Sequence, residues 1–156
     1  MVEIEKTNDC ALIKRIFTHP GAWEWMRDDF SPPREEWEPI ESESVIYLAA
    51  KHDSKVFGLF ALVPDNAICW KVHVCMLPAG YGALSREAFL ELFRWVWQYT
   101  RCLRLVGYVA ESNRKALKLA LDVGMQQYGT NPDSWLKDGK LQAQVLLGIS
   151  KPCEAT

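Results

Sequence analysis

Apolar and polar residues change rhythm several times along this chain, and each change predicts an element. Val2 to Glu5 alternates apolar and acidic positions, the period of a short half-buried strand, and Thr7 or Asn8 then offers a side-chain oxygen to cap a helix. In that helix Leu12, Ile13 and Ile16 share one face, and the segment ends near His19-Pro20-Gly21, where proline disfavours continuation. A second short helix is expected over Ala22 to Asp29. From Phe30 to Ser44 neither period holds, and Ser31-Pro32-Pro33, Glu35, Glu36, Trp37 and Pro39 read as a loop over one end of the domain. That loop is either simply solvated or uses its acids to meet a cationic substrate.

Three strand-like runs follow, Val45 to Ala50, Val56 to Val63 and Ala67 to Met76, separated by His52-Asp53-Ser54 and Pro64-Asp65-Asn66. Such short, turn-rich gaps favour an antiparallel meander. The period then becomes helical from about Leu84 to Tyr99, with Ala88, Leu92, Trp95 or Val96 and Tyr99 recurring every three or four residues. Leu103 to Val109 reads as a strand, Ser112 to Val123 as a helix, and Met125 to Tyr128 as the start of a strand running toward Trp135. Asp138-Gly139 is a hairpin turn signal before a last strand, Leu141 to Ile149. This order predicts mixed α/β architecture, a single domain over residues 1–156 with one central, mostly antiparallel twisted sheet flanked by helices.

Composition narrows the function classes. The chain has 156 residues, 49% apolar and 24% charged, with a net charge of -2, so it lacks the basic footprint of a nucleic-acid binder. Its five cysteines, Cys10, Cys69, Cys75, Cys102 and Cys153, form no CxxC pair and have no clustered histidines beside them, which suggests neither a disulfide framework nor a metal site. No run has the length of a membrane span and the N-terminus carries acids, so a reducing, cytoplasmic setting is expected. Seven tryptophans are many for this length; they either fill the core or mark a protein-partner surface. Trp95 and Trp97 sit two apart on one helix and point in different directions, so one of them is a candidate for an interface, including a homodimer.

Candidate chemistry gathers at two places. In the run Val72-His73-Val74-Cys75-Met76-Leu77-Pro78-Ala79-Gly80-Tyr81-Gly82-Ala83-Leu84-Ser85, a strand enters a glycine-containing turn and then a helix N-terminus. Unpaired N–H groups and the positive end of the helix dipole suit an anion there, above all a phosphate, although the same pattern also describes an ordinary strand-to-helix turn. Glycine allows a ligand to approach the backbone where a side chain would obstruct it. The second place is Glu111 to Met125, an amphipathic helix that Ser112 or Asn113 can cap and that Gly124 stops.

Together these segments resemble the GNAT superfamily of N-acetyltransferases over roughly residues 45 to 150. Leu77-Pro78-Ala79-Gly80-Tyr81-Gly82 is similar to the family's coenzyme A loop, Q/R-x-x-G-x-G/A. Asn113, Ala116, Gly124 and Met125 fall in register with its N-x-x-A-(x)7-G-F/M helix. Trp70-Lys71-Val72-His73 and the His-Pro-x-x-Trp pattern at Pro20 look most like small GNAT-like proteins of tailed phages and prophages, some of them associated with head assembly or the virion.

The resemblance implies acetyl-CoA as substrate and no metal. It gives pyrophosphate binding to the amides of Ala79, Gly80, Tyr81, Gly82 and Ala83, places Val74 and Met76 beside the pantetheine arm, and sets Asn113 near the thiol side. Two positions depart from the pattern: Leu77 replaces the Gln or Arg that opens the loop, and Ala120 stands where the family commonly has a tyrosine acid. Acetyl transfer needs a neutral amine, and His73 is the candidate base because imidazole titrates near neutrality, unless this strand histidine is only structural. Glu87 and Tyr128 are weaker alternatives. Two functions follow: an N-acetyltransferase acting on a primary amine of a protein or small molecule, or a catalytically degenerate GNAT-shaped assembly or protein-binding protein of phage origin.

Overall fold

The computed structural model describes residues 1–153. Strand β1 (Val2–Lys6) leads to helices α1 (Cys10–Phe17) and α2 (Pro20–Met26), then to a meander of β2 (Ile46–His52), β3 (Lys55–Pro64) and β4 (Cys69–Met76). Helix α3 (Ala83–Tyr99), strand β5 (Arg104–Ala110), helix α4 (Arg114–Asp122) and the hairpin β6 (Gln126–Lys137) and β7 (Lys140–Ser150) complete the chain. Short 3-10 turns occupy Arg34–Glu36 and Pro78–Gly80.

The strands form one sheet in the order β1-β2-β3-β4-β5-β7-β6. Every neighbouring pair is antiparallel except β4 and β5. Helices cover it from both sides, as the alternation of the strands requires. On one face, Ala88, Phe89, Leu92, Phe93 and Val96 of α3, with Ala120 and Val123 at α4, pack on Leu48, Phe60, Leu62, Val72 and Leu105. On the other, Ile13, Ile16 and Phe17 of α1 and Ala22 of α2 cover Tyr47, Ala49, Leu59, Ala61 and Cys75. Full burial of a side chain such as Phe60 or Leu92 contributes about 1.5–3 kcal/mol. The second face is covered only over the first half of the sheet, because α1 and α2 sit on β2 to β4.

Several local expectations shift. Asp9, not Thr7 or Asn8, caps α1: its carboxylate accepts from the Leu12 amide at 3.0 Å, while Thr7 Oγ1 accepts from Asp9. Helix α2 begins at Pro20, capped by the His19 ring, and ends at Met26 rather than Asp29. Helix α4 starts at Arg114, one residue after its cap Asn113. The 30–44 loop is pinned to the domain, with Lys14 paired to Glu38, Trp37 packed on Phe17, and the Tyr47 hydroxyl bonded to both main-chain groups of Ile40. Trp95 and Trp97 both pack against the core, the first tilted on Tyr99 and the second stacked on Phe93. Turns Asp53-Ser54 and Asp138-Gly139 both have positive φ at their two central residues, the twist that suits a tight hairpin. No helix among the described residues is long and apolar enough to cross a membrane.

Candidate functional site

Strands β4 and β5 pair only over Cys69–Lys71 and Arg104–Val106, then diverge, each keeping its outer neighbour. The register tells which main-chain groups this leaves open. Leu77 N–H donates to Phe57, and Asp65 N–H donates to Cys69, so odd-numbered residues of β4 are bonded to β3. Val74 and Met76 therefore turn their N–H and C=O groups into the gap. On β5, Glu111 donates to Ala143 and Lys151 to Leu103, which assigns odd positions to β7 and turns Tyr108 toward the gap from the other side. The sheet thus contains a wedge with two unpaired inner edges, open toward the C-terminal end of β4. Tyr108 gives no sequence signal for this role, because its importance comes from the parallel pairing.

At the mouth of the wedge the chain makes the Pro78–Gly80 turn and enters α3. Gly82 caps this helix with φ 83° and ψ -126°, a conformation glycine adopts readily, and offers no side chain to the first amides. A Cβ placed on Gly82 would meet nothing within 4 Å, so the approach to the N–H groups of Ala83 and the first turn is open. Seventeen residues of helix direct their dipole at this point.

The five loop amides are not equivalent. Gly80 N–H donates to Leu77 and Tyr81 N–H to Pro78, so both are engaged inside the turn. Gly80 is itself buried: a Cβ there would lie 2.2 Å from Phe57 Cδ2. Glycine is needed at this position for packing of the Phe57 ring. Ser85 Oγ donates to the Gly80 carbonyl at 2.6 Å and holds the turn to the helix. Ala79, Gly82 and Ala83 remain as donors.

His73 lies on the α1–α2 side of β4 with Cys75 and Lys71, while Val72, Val74 and Met76 face α3. Its ring has an exposed edge, yet the surrounding protein lowers its pKa below the ordinary imidazole value, and the Lys71 cation adds to this. Both causes favour the neutral form of the ring. Lys71 Nζ sits 4.5 Å from the centroid of the Tyr108 ring, so His73, Lys71 and Tyr108 line the same side of the wedge. Cys75, two residues on, is inert: burial pushes its thiol up to about 12, and it donates to the Ile16 carbonyl.

Asn113 caps α4 through Oδ1, which accepts from Ala116 at 3.3 Å and leaves its amide nitrogen as a free donor among the described residues. Ala120 is 5% exposed and belongs to the core beneath α4. Glu87 is a tether: its carboxylate accepts from the Val2 amide at 2.8 Å, fixing β1 to α3. Tyr128 lies on the open half of the sheet under the Arg104 guanidinium, its pKa raised by burial first and by Tyr108 second.

Sequence reasoning missed the far rim. Asp29 reaches the β6–β7 turn, where its carboxylate accepts from Asp138 at 2.7 Å and Gly139 at 2.8 Å, and its amide donates to Leu136. Arg27 bridges Glu24 and Asp138. Since α2 also packs on β4, and Ser112 at the top of β5 bonds Gln142 of β7, the chain closes a ring around the α1–α2 side of the wedge. Asp29 and Arg27 are more than a hundred positions from the Asp138-Gly139 turn they hold, and of these only the turn carries a sequence signal.

No family model matches the chain, and no curated protein matches it by sequence. Solved structures do match. A spermidine N-acetyltransferase from Vibrio cholerae, in complex with CoA and spermine, superposes with a TM-score of 0.77 at 14% identity, over 96% of this chain and 95% of that one. The protein yncA from Salmonella typhimurium, a candidate acetyltransferase with its cofactor acetyl-CoA, gives 0.75 at 15% identity over 100% and 97%. A candidate phosphinothricin N-acetyltransferase gives 0.75 at 19% identity over 96% and 98%. The chain carries the GNAT fold that these N-acetyltransferases share.

Proposed function

We propose that the chain is an acetyl-CoA-dependent N-acetyltransferase that moves the acetyl group to a primary amine. The wedge between β4 and β5 carries this reading, because it sets two unpaired strand edges beside an open helix N-terminus. A ligand combining an amide-bearing arm with a pyrophosphate fits that pair of features: the arm adds to Val74 and Met76 as a strand would, and the phosphates meet Ala79, Gly82, Ala83 and the first turn of α3. Gly82 keeps the approach clear. The missing Gln or Arg at Leu77 is tolerable because these donors are main chain. The Asn113 amide stays free to reach the thiol end.

Bound acetyl-CoA supplies a thioester, whose acyl carbon forms a C–N bond with an amine as the C–S bond breaks. His73, neutral and flanking the wedge, takes the amine's proton; Lys71 beside it favours the neutral ring. A thiol titrates near 8.5 in water, so the departing sulfur leaves as thiolate without the acid that Ala120 lacks. Proximity supplies much of the remaining acceleration. The reading places residues 1–156 in one domain acting in the cytoplasm.

Calorimetry with acetyl-CoA tests it first: saturable heat is expected, and silence at millimolar ligand sinks it. Thiol release with a panel of primary amines then tests turnover. The buried Ala120 favours one second reading, a GNAT-shaped protein that has lost catalysis. It would bind acetyl-CoA and release no thiol with any amine.

A further inference from the structure

The far rim holds an unusual lysine. Lys137, at the end of β6, has a side chain only 11% exposed, and its ammonium lies 5.5 Å from the centroid of the Trp25 ring and 5.2 Å from that of Trp135. The Glu24 carboxylate stands 3.8 Å away, beyond hydrogen-bond length, and is already held by two nitrogens of Arg27. Among the described residues Lys137 Nζ has no hydrogen-bond acceptor. An ammonium removed from water normally finds oxygen partners; this one has two indole faces and a shared carboxylate. Trp25 remains 48% exposed, so the cage has an open side.

Two aromatic walls, one acid and an open side describe a receptor for an organic cation. We propose that Trp25, Trp135 and Glu24 form an ammonium-binding cage on the rim of the wedge, that Lys137 fills it as an internal stand-in, and that the charged end of a cationic acceptor displaces Lys137. On leaving, Lys137 gives up its 3.8 Å ion pair with Glu24 and its two indole contacts, which the incoming cation replaces in kind. Trp25 belongs to α2, which packs on β4, and Lys137 directly precedes the turn that Asp29 holds, so the cage lies on the rim formed by α2 and that turn. The inference rests on the acetyltransferase reading for the word acceptor; the cage itself does not.

Tetramethylammonium chloride, with sodium chloride at equal ionic strength as control, is the probe, followed through the indole N–H resonances of Trp25 and Trp135. Lys137→Ala is expected to bind the probe at least tenfold more tightly than the parent chain, and adding Trp135→Leu is expected to abolish the gain. Equal titrations for all three proteins, or none for Lys137→Ala, overturn the cage. Should Lys137→Ala disturb the hairpin, seen as altered Asp138 and Gly139 amides, Lys137→Gln keeps most of the stem without the charge and must give the same order. Acetyl-CoA calorimetry on the same proteins separates the two readings. Coenzyme heat without probe binding removes the cage alone, and probe binding without coenzyme heat removes the transferase alone.

Discussion

The rim at the end of β4 is main chain: two unpaired strand edges, a 3-10 turn, and a helix start whose cap has no side chain. The rim across the wedge is side chain: Glu24, Arg27, Asp29 and Lys137, joined to the Asp138-Gly139 turn by ion pairs, hydrogen bonds and indole faces. Main-chain donors are fixed by the fold and suit a ligand that never varies. Side-chain clamps on the surface are individually weak and readily altered, which on the proposed acetyltransferase reading suits a side that selects the acceptor.

The largest effect is expected on the floor between the rims. His73→Ala should lower kcat/KM by about a hundredfold or more, the range of a positioned general base. Because the folded environment lowers the His73 pKa, activity should fall with acid only below the ordinary imidazole range, and the variant should lose that limb. A pH–rate profile checks both, and an unchanged limb would free His73 from the role.

Next come the two glycines, which separate packing from ligand access within the main-chain rim. Gly80→Ala drives a methyl into Phe57 and should destabilise by about 2–3 kcal/mol, at the upper end of overpacking, with partial recovery in the Phe57→Leu background. Gly82→Ala meets no neighbour but must hold a positive φ outside the left-handed helical region, so about 1–3 kcal/mol is expected. Denaturant titration gives both values, and equal losses from the same cause would erase the distinction.

The smallest effect tests the side-chain rim. Asp29→Ala should speed amide exchange at Asp138 and Gly139 while leaving the melting transition nearly in place. The N–H groups of Gly139 and Asp138 hold the Asp29 carboxyl below its usual value, so the clamp is at full strength above the ordinary aspartate range. It weakens as pH falls through the lowered value, and the Gly139 amide shift should follow that loss. An exchange rate unmoved by the substitution would mean the turn stands without the clamp.

What could be read from the sequence divides along the same line. Strand and helix periods placed β2, β3, β4 and α3 within a few residues, because burial on a fixed face imposes the pattern. Gly82 and Asn113 could be found because a helix start demands local chemistry. Gly80 could be seen but not understood, since its partner Phe57 is 23 positions away on another strand. The wedge was invisible as geometry, since strand divergence leaves no composition signal, and Asp29 stood only as the expected end of the second short helix.

The wedge has a last consequence for handling and folding. Exposed strand edges recruit other strands, and here two of them lie inside the sheet instead of at its margins. An extended ligand seated between β4 and β5 would act as an eighth strand, and the melting temperature should then rise with the logarithm of its concentration.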